Sequence, residues 1–188
     1  MKSNTLQKVY VIIAFFLVFC ATSFSGCISD GEVMSTNETV YTWMDAEMTN
    51  VVTEEIFTLR ELTQDGTPVV LHIFAAWCPA CNMQLGESTT FLSDYPGKAH
   101  IVAFDIDVSE SPAAIAEHVA SRKYAGIFTT AEQPIVQGLV NLFGQEIMMT
   151  IPQTVLISGE NLVYLGPGVF GSDKIATRID AMYQQFGK

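Results

Sequence analysis

Hydrophobic positions fall into three regimes along the chain. Val9 to Phe19 is an unbroken apolar stretch, and Ile28 to about Asn50 is polar and acidic without sustained periodicity. From Val51 onward, short apolar runs alternate with helical spacings. The middle regime predicts a flexible tether over residues 27–50. In the third, Val51–Thr53 and Ile56–Thr58 suit a short hairpin, and Val69–Phe74 has the continuous apolar character of a buried strand. A helix is expected from about Cys81 to Leu92, ending before Pro96-Gly97, and Ile101–Val108 is again apolar and β-branched. Ser111-Pro112 starts a helix with a capping hydroxyl and a proline at its first position. Ile115, Val119 and Lys123 follow at helical spacing, and the helix stops by Gly126. Ile127–Thr129 suits a short strand, and Ile135–Phe143 a helix closed by Gly144. Thr154–Ile157 and Leu162–Leu165 fit an antiparallel pair joined through Ser158-Gly159-Glu160. Ile175, Ile179, Met182 and Phe186 line one face of a last helix that Ser172 can cap. Segments in this order predict an α/β fold over 51–188, with a mixed central β-sheet flanked by helices on both faces.

The 188 residues suit one domain. Residues 1–26 stand apart from it as a signal: Lys2 and Lys8 precede the apolar stretch, and Ser25-Gly26 supplies small residues before Cys27. Phe24-Ser25-Gly26-Cys27 resembles a lipoprotein signal, with Phe24 where leucine is usual. That resemblance implies lipidation of Cys27; the alternative is an uncleaved membrane anchor. Either way the domain is expected at the cell membrane, facing outside the cytoplasm. Asn37-Glu38-Thr39 is an acceptor pattern for glycosylation, one that more often goes unused. The 9 basic and 20 acidic side chains give −11, and loss of Lys2 and Lys8 would take the charge to −13. Such a surface argues against nucleic acid as a partner.

Of the four cysteines, Cys20 lies by the apolar stretch and Cys27 at the signal boundary. Cys78 and Cys81 are left for the folded domain, so no structural disulfide is available beyond that pair. Their context is Trp77-Cys78-Pro79-Ala80-Cys81, directly after the strand Val69–Phe74. A strand that turns helical at Cys-X-X-Cys places the first thiol at a helix N-terminus, where free N–H groups and the helix dipole favour the reactive thiolate. The second cysteine lies one helical turn on and can close a small disulfide. A zinc half-site is the competing use, but no second Cys-X-X-Cys or paired histidines accompany it.

Trp-Cys-Pro-X-Cys after a strand resembles the thioredoxin active site. Thr150-Ile151-Pro152-Gln153-Thr154-Val155-Leu156-Ile157 is similar to that family's cis-proline loop, in the form of the membrane-tethered TlpA/ResA-type branch. Glu55–Leu62 resembles the lead-in of the same branch. The resemblance covers roughly residues 47 to 188 and implies a thioredoxin fold. It further implies a thiol–disulfide oxidoreductase with Cys78 as nucleophile and Cys81 as resolving thiol. Trp77 is then expected beside the thiols, and Pro152 in cis, leaving the Ile151 backbone free to pair with a substrate peptide. No cofactor is implied. Partners are expected to be protein disulfides, with electrons from a transmembrane thiol carrier, and reduction is expected more than oxidation.

Two departures from the family bear on proton transfer. His72 stands where thioredoxins keep a buried acid, either as a proton relay for Cys81 or as a core histidine bonded to backbone. On the first view, His72→Ala would leave folding largely intact and slow release of the mixed disulfide. Gln84 stands where several tethered relatives carry a glutamate, and it cannot titrate. Met83, Met148 and Met149 lie near the two motifs, so a copper-delivery module using Cys78 and Cys81 is the rival reading. His100 and His118 are expected at a strand edge and on a helix surface, without partners.

Overall fold

The computed structural model describes residues 41–187. The expected signal over 1–26, the lipidation candidate Cys27 and the acceptor Asn37 lie outside the described residues. Among the described residues, no helix is long and apolar enough to cross a membrane.

Five strands form the central sheet in the order β5-β4-β3-β6-β7: β3 Val69–Phe74, β4 His100–Asp105, β5 Ile127–Thr130, β6 Gln153–Ser158 and β7 Asn161–Pro167. β3 runs parallel to β4 and antiparallel to β6, so the sheet is mixed. β3 is central and buried along its whole length, which is why its sequence is apolar at consecutive positions rather than alternate ones. β6 turns into β7 through Gly159-Glu160, with Gly159 at φ +55. That pair carries a register shift between Thr154 and Val155, and β7 runs out in Gly166-Pro167.

Side-chain alternation on β3 sorts the helices. Leu71 and Ile73 face a core with α1 (Leu59–Leu62), α4 (Gln133–Phe143) and α5 (Glu146–Met149). Val70 and Phe74 face α2 (Pro79–Asp94), α3 (Pro112–Arg122) and α6 (Ser172–Phe186). Helices therefore cover both faces, as the order of segments predicts. α3 starts where the sequence places it: Ser111 Oγ accepts from Ala114 N at 3.2 Å, and Lys123 closes the helix in the left-handed region at φ 58.

Three expectations need correction. The tether does not run to residue 50. Tyr41 to Asn50 is packed: a 3-10 turn, Thr42–Asp45, buries Trp43 and Met44, and β1 (Met48–Thr49) buries Met48. Three side chains of this kind contribute roughly 1.5–3 kcal/mol each. Arg60 fastens the segment from α1 by bonding Asp45 and the Tyr41 carbonyl, the latter at 3.1 Å. Second, the hairpin pairs β1 with β2 (Ile56–Phe57), and Val51–Thr53 forms the turn between them. Asn50 N and Glu54 N both bond inside that turn, and Glu54 takes φ 63. Third, Ser172 does not cap α6. Gly171 is the capping residue, and Glu87 of α2 accepts from Ser172 N at 3.0 Å, an anion at the positive end of the helix dipole.

Candidate active site

The tip of β3 delivers the two cysteines. The chain leaves the strand at Phe74, turns through Ala75-Ala76-Trp77, and enters α2 at Pro79. Cys78 is the N-cap: its Sγ accepts from Cys81 N at 3.2 Å. Proline at the first helical position costs no hydrogen bond, since that N–H would be free in any case. The sulfurs are paired as a disulfide with the Cα atoms 5.2 Å apart. Access is unequal, though small: Cys78 keeps 5% exposure and Cys81 none. In the disulfide form even the first sulfur is nearly covered.

The loop between α5 and β6 lies against the pair. The Ile151–Pro152 bond is cis, and the Ile151 carbonyl lies 4.0 Å from Cys78 Sγ. Trp77 stands beside the turn with 65% exposure, and its Nε1 donates to Asp107 Oδ2 at 2.8 Å. Ser109, and then the Trp77 indole, hold the Asp107 carboxyl below the usual carboxylate range. Met83 and Met149 are exposed at 63% and 78%. His118 does have a partner: its Nε2 lies 2.7 Å from Asn82 Oδ1, and its ring packs on Tyr124. Among the described residues, no group of three or more His, Cys, Asp or Glu is arranged to hold a metal ion.

His72 is fully buried on β3, and both ring nitrogens are occupied. Nδ1 lies 3.0 Å from Thr154 Oγ1, and Nε2 lies 2.8 Å from Ser88 Oγ. Ser88 also accepts from Gln84 Nε2 at 3.3 Å, and Gln84 clamps the Phe170 backbone through N–H and C=O at 2.7 and 3.2 Å. The result is a polar chain from β6 through β3 and α2 to the start of α6. Either neutral tautomer satisfies it, because each hydroxyl can donate or accept. Burial pushes the His72 pKa down to about 4, so the ring is neutral at neutral pH. Its bonded side chains are Thr154 and Ser88 rather than Cys81, and the Gln153 backbone opposes part of the shift, as expected of a core histidine.

Sequence reasoning missed Asp105 and Glu110. Both accept from Ala76 N, at 3.1 and 2.9 Å, immediately before Trp77-Cys78. Burial, and then the nearby Glu110, push the Asp105 carboxyl up to about 7. The available signal was an acid inside an apolar run: β4 stops at Asp105 rather than reaching Val108.

Comparison with solved structures settles the architecture. The chain is similar to the exposed lipoprotein thioredoxin of Streptococcus pneumoniae, with TM-score 0.58 and 18% identity, over 72% of this chain and 98% of that one. A secreted disulfide oxidoreductase of Mycobacterium tuberculosis matches with TM-score 0.55 and 17% identity, over 75% and 98%. StoA from Bacillus subtilis matches with TM-score 0.51 and 16% identity, over 69% and 92%. This is a thioredoxin fold. No protein-family model matches the sequence, and no curated protein matches it. Within that fold, the Cys78–Cys81 pair occupies the sheet tip and Pro152 the facing loop.

Proposed function

We propose that this chain is a membrane-anchored, extracytoplasmic thiol–disulfide oxidoreductase that reduces protein disulfides. The observation that carries the reading is Cys78 Sγ at the N-cap of α2, accepting from Cys81 N, with Cys81 fully buried behind it. A thiolate at that position gains the free N–H and the helix dipole, so Cys78 is the attacking sulfur. In the dithiol form it attacks a substrate disulfide, forming one S–S bond and breaking another, and the leaving sulfur takes a proton. Cys81 then loses its proton and attacks Cys78 Sγ, closing the internal disulfide and releasing the second substrate thiol. Two electrons pass to the substrate, and a dithiol donor must return them. The Ile151 backbone beside Cys78 supports binding of an extended segment, and Trp77, Met83 and Met149 offer apolar contact to it. Such contacts adapt to many side chains.

The similarity to an exposed lipoprotein thioredoxin, together with the Phe24–Cys27 pattern, supports lipidation at Cys27. The protein would then face outside the cytoplasm, with protein disulfides as substrates and a membrane thiol carrier as donor. Insulin reduction and the reduction potential of the Cys78–Cys81 pair test the reading together. Turnover with a potential near about −270 mV supports a reductant, and a value near about −120 mV makes it an oxidant. No turnover, with tight Cu(I) binding to the reduced pair, would replace the reading with copper delivery.

A further inference from the structure

Two carboxyl groups converge behind the cysteine turn. Ala76 aims its backbone N–H at Asp105 Oδ2, 3.1 Å away, and at Glu110 Oε2, 2.9 Å away. Asp105 Oδ1 also accepts from Asp107 N at 2.7 Å. Asp105 is 2% exposed at the end of β4, and its register neighbours, Phe74 on β3 and Thr130 on β5, carry no charge. Sharing the Ala76 N–H brings an oxygen of each carboxyl to the same donor, close enough for Glu110 to help raise the Asp105 carboxyl. Ionised carboxylates only accept, so two of them can bond to each other only through one proton. Two negative charges this close in a partly buried place also resist joint ionisation. Among the described residues, no lysine or arginine forms an ion pair with either group.

We propose that Asp105 and Glu110 hold one proton between them as positioning residues for the Ala76-Trp77-Cys78 turn, and that losing this proton suppresses the Cys78 thiolate. The proposal rests on the thiol-exchange reading above. With the proton in place, the pair carries a single negative charge and bridges the turn. When the proton leaves to solvent, the bridge is lost and a second negative charge stands behind the sulfur that must itself become negative. Burial, with Glu110 second, places the Asp105 ionisation near neutrality, at about 7.

Other charges facing the pair do not compensate. Asp107, on the same loop, stays ionised. From α3, His118 senses Glu110, but burial and then Arg122 hold it below the usual histidine range, so it brings no positive charge at neutral pH. The first turn of α2 has no acid and presents only the two sulfurs. Asp107 touches the turn through Trp77 but is held below the usual carboxylate range, so the pair is the carboxyl element beside the turn that titrates near neutrality.

The test is the pH dependence of alkylation at Cys78 in the reduced full-length protein, read by mass at that residue, in wild type, Glu110→Gln and Asp105→Asn. Each variant keeps a hydrogen-bond acceptor but cannot reach the doubly charged state. Their rates should match wild type near about pH 6 and exceed it about threefold near about pH 8, where the wild-type profile shows two coupled steps. Infrared difference spectra at about pH 6 should show a protonated-carboxyl C=O band in wild type and none in either variant. Parallel rate profiles in both variants, or no such band in wild type, overturn the proposal. If one variant fails to fold, the other carries the comparison. Cys78 inert at every pH would instead defeat the exchange function, and the infrared band still decides the carboxyl pair.

Discussion

His72 offers a prediction whose size follows from the structure. The ring is fully buried with both nitrogens bonded to hydroxyls, and its pKa falls from 6.5 to about 4 because burial disfavours the cation. A histidine with a depressed folded-state pKa contributes stability that is complete above its unfolded value. That stability is lost as pH falls, because the unfolded chain takes up the proton first. At 1.36 kcal/mol per unit, the gap between 6.5 and about 4 is worth about 3 kcal/mol in all, of which about 2 kcal/mol is gone by about pH 5. The perturbation is His72→Gln, which keeps polar atoms but removes the titration. Urea unfolding of both proteins, disulfide intact, at about pH 7.5 and about pH 5 supplies the double difference. The wild type's advantage over the variant should shrink by about 2 kcal/mol, roughly 1 M in urea midpoint for a domain of this size. A difference that stays constant within about 0.5 kcal/mol across the two conditions would refute the argument. The same burial means that His72→Ala should not fold as the wild type does. It leaves the Ser88 and Thr154 hydroxyls facing a cavity, at a cost of roughly 3–5 kcal/mol.

Asp105 should tilt stability the opposite way. Its folded-state pKa is raised, so its contribution is present at low pH and fades as pH rises through about 7. Comparing wild type with Asp105→Asn at about pH 5 and about pH 8, the wild type should lose on the order of 2 kcal/mol relative to the variant; no change in the gap counts against it. Cys81→Ser should accumulate a mixed disulfide at Cys78 that non-reducing gels retain, whereas Cys78→Ser should form none; equal trapping by both would reverse the assigned order of attack. Gly138→Ala places a methyl into the Trp43 ring, so urea unfolding should show about 1–3 kcal/mol of destabilisation despite alanine's better helix propensity. A stabilised variant would mean that Trp43 is free to move aside.

Elements carried by local chemistry were legible from residue order alone. Val69–Phe74 could be nothing but a covered strand, and Ser111-Pro112 signalled the start of α3 through its own hydroxyl. What escaped depended on distant partners. Trp43, Met44 and Met48 are too sparse for a periodic signal, and their burial depends on α4, whose Gly138 leaves room for the indole. Ser172 looked like a cap, but the acceptor is Glu87, far away in sequence. On α2, the buried stripe Cys81, Gln84, Leu85, Ser88 and Phe91 includes two polar residues, which weakens its amphipathic pattern. They are inside because His72 and the Phe170 backbone need them. In the candidate site, the cysteine pair and Pro152 were visible as motifs, whereas Asp105 and Glu110 come together only once β4 ends beside the turn.

The termination of β7 bears on solution behaviour. Among the described residues one flank of this strand is unpaired, yet its ladder is offset beside Thr154 and finishes in glycine and proline. A neighbouring copy therefore meets a crooked, interrupted border instead of a template for stacking, which discourages clumping when molecules are crowded together.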